Sequence, residues 1–441
     1  MKTFSEFGLA IPHILLPAKA DISTWSVIAC DQYTQDRSYW ERVSATVGMN
    51  PSTLNLILPE VYLEADDKAE RISAIKRTMK GYLSGNVFAD EVQECLYVER
   101  HTAYGRVRHG LVCAIDLDSY EWKPFSHALI RATEATILDR IPPRKEIRQG
   151  APLESPHIML LVNDPDHLFV ESVGTMVKKN TPVYDGELML GSGHVTGWAI
   201  QDDAALSAMH NALSVLKAAN TDETGAPFLF AVGDGNHSLA TAKAVWNEYR
   251  AQELANGKSE NVISRSPARY ALVEVVNLYD SGLTFEPIHR VLFCANPSAL
   301  IGFVQQRLGG TVATFETSSA LAAAVEKSKS SFGFVFKEPN GSMRYDCLES
   351  AVQDLAVSRL QPELDSFLDL NAGSSIDYIH GSDEVFRLGA MDNTVAILLP
   401  PVSKDSFFAA ISTLGPLPRK SFSMGEASEK RFYLECRRLF S

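Results

Sequence analysis

The stretch Phe228-Leu-Phe-Ala-Val-Gly-Asp-Gly-Asn-His-Ser-Leu-Ala-Thr-Ala-Lys243 joins an apolar run, a Gly-Asp-Gly turn and a helix-forming segment. This order predicts a strand that turns sharply into a helix, the repeating unit of an α/β fold. Glycines let backbone amides approach a ligand closely, and a helix N-terminus adds unpaired N–H groups at the positive end of its dipole. The stretch therefore predicts both the fold class and an anion-binding site.

The composition is that of a folded protein with a large core. The chain has 441 residues, of which 45% are hydrophobic, and this length predicts two or three domains or lobes. Its net charge of -13 argues against a general nucleic-acid binder, which would normally present a basic face. A small molecule that carries phosphate is still compatible with this charge.

The cysteines and the hydropathy pattern bear on the cellular compartment of the protein. The six cysteines include no Cys-x-x-Cys pair, so we expect buried, reduced thiols rather than a zinc ribbon or a redox motif. We recognise neither a signal peptide nor a window of transmembrane length. We therefore expect a cytoplasmic protein without a membrane partner.

Apolar runs alternate with amphipathic segments along most of the chain. Arg37–Val47, 69–85 and 202–219 are predicted helices, and 94–116 is a predicted hairpin around an Ala-Tyr-Gly turn. A second glycine-rich stretch, 191–197, is predicted to be another hairpin turn. The pattern indicates a mixed α/β (α+β) fold with several lobes.

We divide the chain into three regions. Residues 1–295 form the main α/β region with the Gly-Asp-Gly site, and 296–345 form a small inserted α/β lobe without concentrated chemistry. Residues 346–441 resume the α/β alternation, and we expect them to pack back on the main region.

The Gly-Asp-Gly turn supplies candidate ligands for a phosphate and a metal ion. Gly233 and Gly235 would offer backbone amides, Asp234 would hold Mg²⁺, and His237 would neutralise or protonate a transferring phosphoryl group. Asn236 and Ser238 are further phosphate ligands, with a helix N-cap as the alternative role of Ser238. The chain contains neither a Walker loop nor a Gly-x-Gly-x-x-Gly fingerprint, so a common nucleotide fold is not indicated.

A catalytic base is predicted upstream, in Arg131-Ala-Thr-Glu134. Glu134 is our first candidate, because a carboxylate beside arginines can accept a hydroxyl proton while the guanidinium groups bind charged substrate. Arg131 and Arg140 would form that charged wall, and a solvated charged face is the alternative. Asp31 is the rival base, and either carboxylate could instead be a structural ion-pair partner.

Other polar residues give less specific signals. Pro287 is predicted to fix a turn that presents His289 and Arg290 to a phosphate. Ser423 and Glu426 have the spacing of a capping box. Serine hydrolase chemistry is not indicated, because there is no Gly-x-Ser-x-Gly elbow. The histidines that a metal site could use lack the spacing of a ligand motif: His194, His237, His289 and His380.

Nine segments together resemble a known bacterial family over nearly the whole chain. Besides the opening stretch they are Trp25-Ser-Val-Ile-Ala-Cys-Asp-Gln-Tyr33, Pro51-Ser-Thr-Leu with Leu58-Pro-Glu-Val-Tyr62, Ile130-Arg-Ala-Thr-Glu134, Ile141-Pro-Pro-Arg144, Pro267-Ala-Arg-Tyr-Ala-Leu-Val-Glu274, Phe285-Glu-Pro-Ile-His-Arg290, Ile376-Asp-Tyr-Ile-His-Gly381 and Leu417-Pro-Arg-Lys-Ser-Phe-Ser-Met-Gly425. The family is domain of unknown function 1015 (DUF1015), and its name implies no reaction.

A more distant resemblance implies a reaction. Many members of that family carry Asp-Gly-His-His-Arg where this chain has Asp234-Gly-Asn-His-Ser238. That motif is similar to the phosphate-binding motif of the superfamily of ParB-like proteins and free serine kinases. The resemblance implies a core of that kind and nucleotide-dependent phosphorylation of a small hydroxy amino acid. Here Asn236 and Ser238 replace the first histidine and the arginine.

The leading hypothesis is accordingly a Mg²⁺-dependent phosphotransferase, similar to a free serine kinase, with ATP or ADP as donor. The alternative is a regulatory protein that holds a nucleotide or an anionic metabolite on the same turn without catalysis. Turnover discriminates between the two.

Overall fold

The computed structural model describes residues 2–135, 141–222 and 224–440. The chain forms two compact units. The first unit comprises Met1–Leu283 and Gly425–Ser441, and the second comprises Thr284–Met424. As predicted from the alternating pattern, the fold is mixed α/β.

The strands are numbered in chain order. They are β1 (Lys2–Phe4), β2 (Leu9–Ile11), β3 (His13–Ile14), β4 (Val27–Ile28), β5 (Val92–Gln93), β6 (Cys95–Thr102), β7 (Val107–Asp116), β8 (Tyr120–Glu121), β9 (Ile130–Ala132), β10 (Leu153–Glu154), β11 (Met159–Val162), β12 (Tyr184–Glu187), β13 (Gly193–Ile200), β14 (Phe230–Asp234), β15 (Tyr270–Asn277), β16 (Glu286–Pro287), β17 (His289–Phe293), β18 (Thr311–Phe315), β19 (Ser331–Lys337), β20 (Met343–Glu349), β21 (Ser375–Ile379), β22 (Thr394–Leu398), β23 (Phe422–Ser423), β24 (Phe432–Tyr433) and β25 (Arg437–Arg438).

The α-helices are numbered in the same way. They are α1 (Ile22–Trp25), α2 (Arg37–Val47), α3 (Lys68–Ser84), α4 (Ile141–Arg148), α5 (Val170–Val177), α6 (Asp203–Ala219), α7 (Asn236–Ala255), α8 (Glu260–Ile263), α9 (Pro297–Leu308), α10 (Ser318–Glu326), α11 (Ala356–Leu370), α12 (Ser382–Gly389) and α13 (Lys404–Leu414).

The three predicted helices are present as α2, α3 and α6, and side-chain capping explains the starts of α2 and α6. In α2 the side chain of Asp36 accepts a hydrogen bond from the N–H of Tyr39 at 3.0 Å. In α6 the side chain of Asp202 accepts one from the N–H of Ala205 at 2.8 Å. These side chains satisfy amides that lack a partner within the helix.

The first unit is built on a mixed sheet with the strand order β12-β13-β6-β7-β15-β11-β14-β9-β8, and β2 joins β1 to the side of β7. β6 pairs with β7 in the predicted antiparallel hairpin. β12 and β13 form a second hairpin, but its connection is 188–192, and most of the predicted turn 191–197 belongs to β13. β9 and β14 are parallel neighbours, with Ala132 opposite Val232. Residues that follow β9 and β14 therefore lie at the same edge of the sheet.

The C-terminal segment completes this unit. β24 pairs with β4, and β25 pairs with β10. The indole N–H of the fully buried Trp25 donates to the carbonyl of Leu434 at 2.9 Å. As a result, Lys430, Arg431 and Tyr433 are fixed within the first unit although they lie near the end of the chain.

The second unit differs from the predicted lobe of residues 296–345. Its six-stranded sheet has the order β18-β20-β19-β22-β17-β21, so β22 lies between β19 and β17. The strands β18, β19 and β20 therefore belong to the same sheet as β22 and do not form a lobe of their own. The unit extends over Thr284–Met424. Pairing between distant strands, which local patterns do not encode, sets its boundaries.

One capping prediction was wrong in its residues. Ser423 lies in β23, and the capping box is formed by Glu426 and Glu429 around the short 3-10 helix Ala427–Glu429. The N–H of Glu426 donates to the side chain of Glu429 at 2.9 Å. A glutamate can act as the N-cap acceptor here because its carboxylate reaches the same amide that a serine hydroxyl would.

The six cysteines are free thiols, as expected. Four of them are buried, whereas Cys30 is partly exposed and Cys294 is exposed, contrary to the expectation of burial. Across the described ranges, the helices fall short of the length and apolarity needed to cross a bilayer.

Candidate active site

The strand, turn and helix predicted at the Gly-Asp-Gly segment are present. β14 ends at Asp234, Gly235 has a φ of +81°, and α7 begins at Asn236. A Cβ at position 235 would approach the Cα of Ile158 to 3.2 Å, so both the backbone angle and the close packing require glycine. Because the N-cap residue has no side chain, the amides at the start of α7 are suited to an anion rather than to a capping group.

Asp234 carries a charge at this turn. Its Oδ1 accepts from the N–H of Gly235 at 2.9 Å, and its Oδ2 lies 3.5 Å from the Nζ of Lys430. The two side chains are 19% and 13% exposed, respectively. An ammonium therefore lies beside the turn, and no local sequence signal had marked Lys430 as a candidate.

Glu134 follows the neighbouring parallel strand and is partly exposed. Since β9 and β14 end at the same edge, the chain places Glu134 and Asp234 after adjacent strand ends. Among the residues that the structure describes, no group of three or more His, Cys, Asp or Glu side chains has the geometry of a metal site. Mg²⁺ is commonly held by one or two carboxylates together with substrate phosphates, and this donor set fits that mode.

Asn236 has a structural role instead of the predicted phosphate contact. It is buried, its Nδ2 donates to the hydroxyl of Thr133 at 3.2 Å, and its Oδ1 accepts from the N–H of Thr133 at 3.2 Å. These bonds tie the end of β9 to the start of α7. The side chain of Asn236 is therefore engaged by the adjacent strand, and a phosphate contact of this residue stays a prediction for its backbone amide.

His237 and Ser238 complete the first turn of α7, and both are partly exposed. Ser238 is the third residue of the helix, so it is not the N-cap. Its hydroxyl forms a hydrogen bond of 2.9 Å with the Nε2 of His157. The carbonyl of His237 accepts from the hydroxyl of Thr241 at 2.7 Å.

His157 is a further candidate residue at this site, and the sequence patterns did not predict it. It is 8% exposed, and its Nδ1 forms a hydrogen bond of 2.8 Å with the hydroxyl of Tyr433. Its Nε2 lies 4.0 Å from the carboxylate of Asp31. In the sequence His157 only begins an apolar strand after Ser-Pro, and nothing in that pattern distinguishes it from a core residue.

Asp31 and Glu60 are two carboxylates in contrasting environments. Burial raises the pKa of Glu60 above its usual range, and the Arg144 guanidinium, which forms an ion pair with it, offsets this only in part. At Asp31 burial acts in the same direction, but His157, a hydrogen bond from Gln32 and the charge of Lys430 lower its pKa overall. Carboxylates with oppositely shifted pKa values are typical of acid and base pairs in active sites.

Glu60, His157, Ser238 and Tyr433 line a cavity of about 140 Å³, and Asp31 lies behind His157 rather than in the lining. Much of its wall is aliphatic, with Leu56, Ile57, Leu58, Leu63, Met79, Ile147, Leu153, Ile158, Leu272 and Leu439. Its polar lining consists of Cys30, Glu60, Arg144, Arg148, Glu154, Ser155, His157, Ser238, Thr241 and Tyr433. A cavity of this size holds a molecule about as large as benzene.

Arg131 does not form the predicted charged wall. It is 4% exposed, forms an ion pair with Asp222 at 2.9 Å, and stacks over the ring of Phe228 with 4.5 Å between its Cζ and the ring centre. The alternative of a solvated charged face is not observed either, because Arg131 is buried in an ion pair. Arg140, its predicted companion, lies outside the described residues.

His289 and Arg290 belong to the second unit, where both are buried in β17. The Nδ1 of His289 accepts from the N–H of Leu399 at 3.1 Å. Arg290 donates to the side chain of Gln361 at 2.9 Å and to the carbonyl of Lys420 at 2.9 Å. Instead of an exposed turn, Pro287 is followed by a central strand, so both side chains have structural roles.

The burial of His289 predicts acid sensitivity in the second unit. Burial, with smaller contributions from Arg290 and His380, lowers its pKa to about 4. As the pH falls, the unfolded chain therefore binds the proton at a higher pH than the folded chain does. The free energy of unfolding is highest above pH 6.5 and decreases as the pH falls toward 4. Between pH 7 and pH 5 we expect a loss of about 2 kcal/mol.

Hydrogen exchange of β22 at the two pH values would measure this loss. His289→Gln, which cannot take up the proton, should show a smaller loss than the natural chain. Equal losses in both proteins would contradict the assignment to His289.

Comparison with known proteins gives a family match. The model described as "Protein of unknown function (DUF1015)" matches residues 12–367. No curated protein matches the chain.

Three solved structures are similar at low identity. A conserved hypothetical protein from Pyrococcus furiosus has 10% identity and a TM-score of 0.35, with 71% of this chain and 90% of that chain covered. A free serine kinase in complex with AMP has 9% identity and a TM-score of 0.38, with coverages of 74% and 92%. SbnI with C-terminal truncation from Staphylococcus aureus has 8% identity and a TM-score of 0.36, with coverages of 71% and 83%.

The resemblance to the family of unknown function is thus confirmed, whereas the ParB-like core stays a prediction. With TM-scores below 0.5, the structural similarities carry no argument about activity.

Proposed function

The chain belongs to the family Protein of unknown function (DUF1015), so we propose its reaction from its own site: the transfer of a phosphoryl group from ATP or ADP to a hydroxyl of a small molecule. One observation carries this proposal. Ser238 lies on the first turn of α7 and also lines the cavity with His157, Glu60 and Arg144. The anion-binding end of the helix therefore opens on a cavity with acid and base groups.

The donor phosphates would occupy the turn from Gly233 to Gly235, where the amides at the start of α7 and the ammonium of Lys430 favour negative charge. Asp234 would hold Mg²⁺, with Glu134 at the adjacent strand end as a second carboxylate. When bound, the ion would neutralise charge on the phosphates. Lys430 would stabilise the charge that develops on the transferring group.

The acceptor would occupy the cavity. At about 140 Å³ it has room for a small hydroxylated molecule, such as free serine, and the bulk of an adenine nucleotide would remain outside. We assign the base to Asp31 rather than to Glu134. Asp31 lies 4.0 Å from His157, and its lowered pKa keeps it ionised near neutral pH, so it can take a proton from the acceptor hydroxyl.

A second candidate is binding of a nucleotide or an anionic metabolite without turnover. It is favoured by the structural contacts of Asn236 and Arg131, which leave fewer side chains to bind the phosphate of a donor. Turnover of the natural chain would exclude this candidate.

The test is an incubation of the full chain with Mg²⁺, ATP or ADP, and a panel of free amino acids and small alcohols. Mass spectrometry would detect the phosphorylated product. Asp234→Asn keeps the size of the side chain but removes the charge, and we expect turnover to fall at least about 100-fold.

Asp90→Asn is the matched control, because Asp90 is an exposed aspartate on the same unit. It should keep full turnover. Unchanged turnover in a folded Asp234→Asn protein would overturn the role of Asp234, and the absence of product with every donor would overturn the transferase itself.

A further inference from the structure

Ser238, His157 and Tyr433 form a hydrogen-bonded chain at the wall of the cavity. The Ser238 hydroxyl lies 2.9 Å from the Nε2 of His157, and the Nδ1 of His157 lies 2.8 Å from the hydroxyl of Tyr433. When the Nδ1 proton of His157 is donated to Tyr433, its Nε2 is free to accept the proton of Ser238. A nucleophile that contacts a base, which is itself oriented by a third group, is the pattern of covalent catalysis.

We infer that Ser238 is a nucleophile and that phosphoryl transfer passes through a phosphoserine at this position. The inference rests on the proposed function and adds a covalent step to it. Its evidence is the contact between Ser238 and His157, the position of both at the cavity, and the helix end that carries Ser238.

In the first step the Oγ of Ser238 attacks the terminal phosphorus of the donor. The new Oγ–P bond forms while the bond to the bridging oxygen breaks, so ATP leaves as ADP or ADP leaves as AMP. The Oγ proton moves to the Nε2 of His157, and the carboxylate of Asp31, 4.0 Å away, stabilises the resulting imidazolium.

In the second step the acceptor hydroxyl attacks the phosphorus of phosphoserine. Its proton moves to Asp31, while His157 returns its proton to the departing Oγ of Ser238. The net result is phosphorylated acceptor, restored Ser238 and one proton that Asp31 later releases to water. Asp31 and His157 thus divide the base and acid roles between them.

The environment of Ser238 suits the intermediate. Phosphoserine has close to two negative charges at neutral pH, and the first turn of a helix stabilises such charge through its amides and its dipole. Ser238 is the third residue of α7, which has 20 residues. The ammonium of Lys430, which pairs with Asp234 at the end of β14, adds positive charge at the junction of β14 and α7.

The covalent step is tested in two ways on the full chain. Donor and Mg²⁺ without acceptor should leave one phosphoryl group on the peptide that carries Ser238, and added acceptor should remove it. With a donor whose terminal phosphate is chiral, two successive displacements give overall retention of configuration at phosphorus, whereas one direct displacement gives inversion.

Variants separate a nucleophile from a structural serine. Ser238→Ala should abolish both the phosphopeptide and the retained-configuration product, and His157→Gln should slow formation of the phosphopeptide at least about 100-fold. Ser172→Ala is the control, because the exposed hydroxyl of Ser172 donates only to the carbonyl of His167 among its described contacts. It should behave like the natural chain.

The outcomes distinguish this inference from the proposed function. Product with inversion, or undiminished product from Ser238→Ala, overturns the covalent step and leaves the transferase intact. Phosphoserine at position 238 without any product supports the nucleophile and overturns the proposed acceptor class. Neither product nor phosphopeptide overturns both. If Ser238→Ala does not fold, the configuration at phosphorus in the natural chain still decides.

Discussion

Replacement of Arg431 by methionine is expected to destabilise the first unit by about 3–5 kcal/mol. Arg431 is 4% exposed and pairs with Glu274 and Glu435, which are 2% and 1% exposed. Methionine fills a similar volume but leaves two buried carboxylates without their main counter-charge. An uncompensated buried charge costs far more than the loss of a solvated ion pair.

The control variant for Arg431→Met is Arg438→Met. Arg438 is a neighbour in the chain, and its ion pair with Glu91 is 3.3 Å long and 52% and 29% exposed. Surface pairs of this kind contribute about 0–1 kcal/mol, so this variant should be close to the natural chain. Urea denaturation followed by tryptophan fluorescence would measure both, and equal effects would contradict the assigned burial cost.

Arg431 also links stability to the site. Its Nε donates to the carbonyl of Pro156 at 3.2 Å, directly before His157. We therefore expect the Arg431→Met protein to lose order at His157 in addition to overall stability.

The second large effect is expected from Asp31→Asn, which should lower phosphoryl transfer by about 10²–10⁴-fold. Asparagine keeps the shape of the side chain, including an oxygen for the 3.0 Å hydrogen bond from Gln32. It cannot accept the acceptor's proton or stabilise the imidazolium of His157. The thermal stability should therefore change far less than the rate.

The pH profile provides a further check on Asp31. Its folded pKa is lowered, so the carboxylate stays ionised as the pH falls toward its ordinary range near 4. The acid limb that belongs to Asp31 should lie below that range. Steady-state rates of the natural chain, Asp31→Asn and the exposed control Asp90→Asn would test this. Full turnover in Asp31→Asn would return the role of base to Glu134.

Local sequence patterns predicted the elements with little error. Asp36 and Asp202 mark the starts of α2 and α6, since short acceptor side chains satisfy helix amides within a few residues. Gly235 marks the turn before α7 because its backbone angle excludes most other residues. These signals act over a few residues, so they can be recognised in a single amino-acid sequence.

The roles of individual polar residues were less predictable. Arg131 and Asn236 are residue types that can bind phosphate. In the structure, however, Arg131 forms an ion pair with Asp222, and Asn236 is hydrogen-bonded to Thr133. A side chain's chemical type shows what it can bind. Which partner it meets depends on the strand that packs beside it.

The sequence by itself determined the mixed α/β class, the helix and hairpin positions and the strand-turn-helix junction at Gly235, because periodicity, capping and backbone freedom act over a few residues. Only the tertiary structure decided that Asp31, His157 and Tyr433 meet Ser238, and that β22 joins the sheet of the second unit. The physical reason is that pairing of strands and burial of charges bring together residues far apart in the chain. The geometry of such contacts exists only after the core has packed.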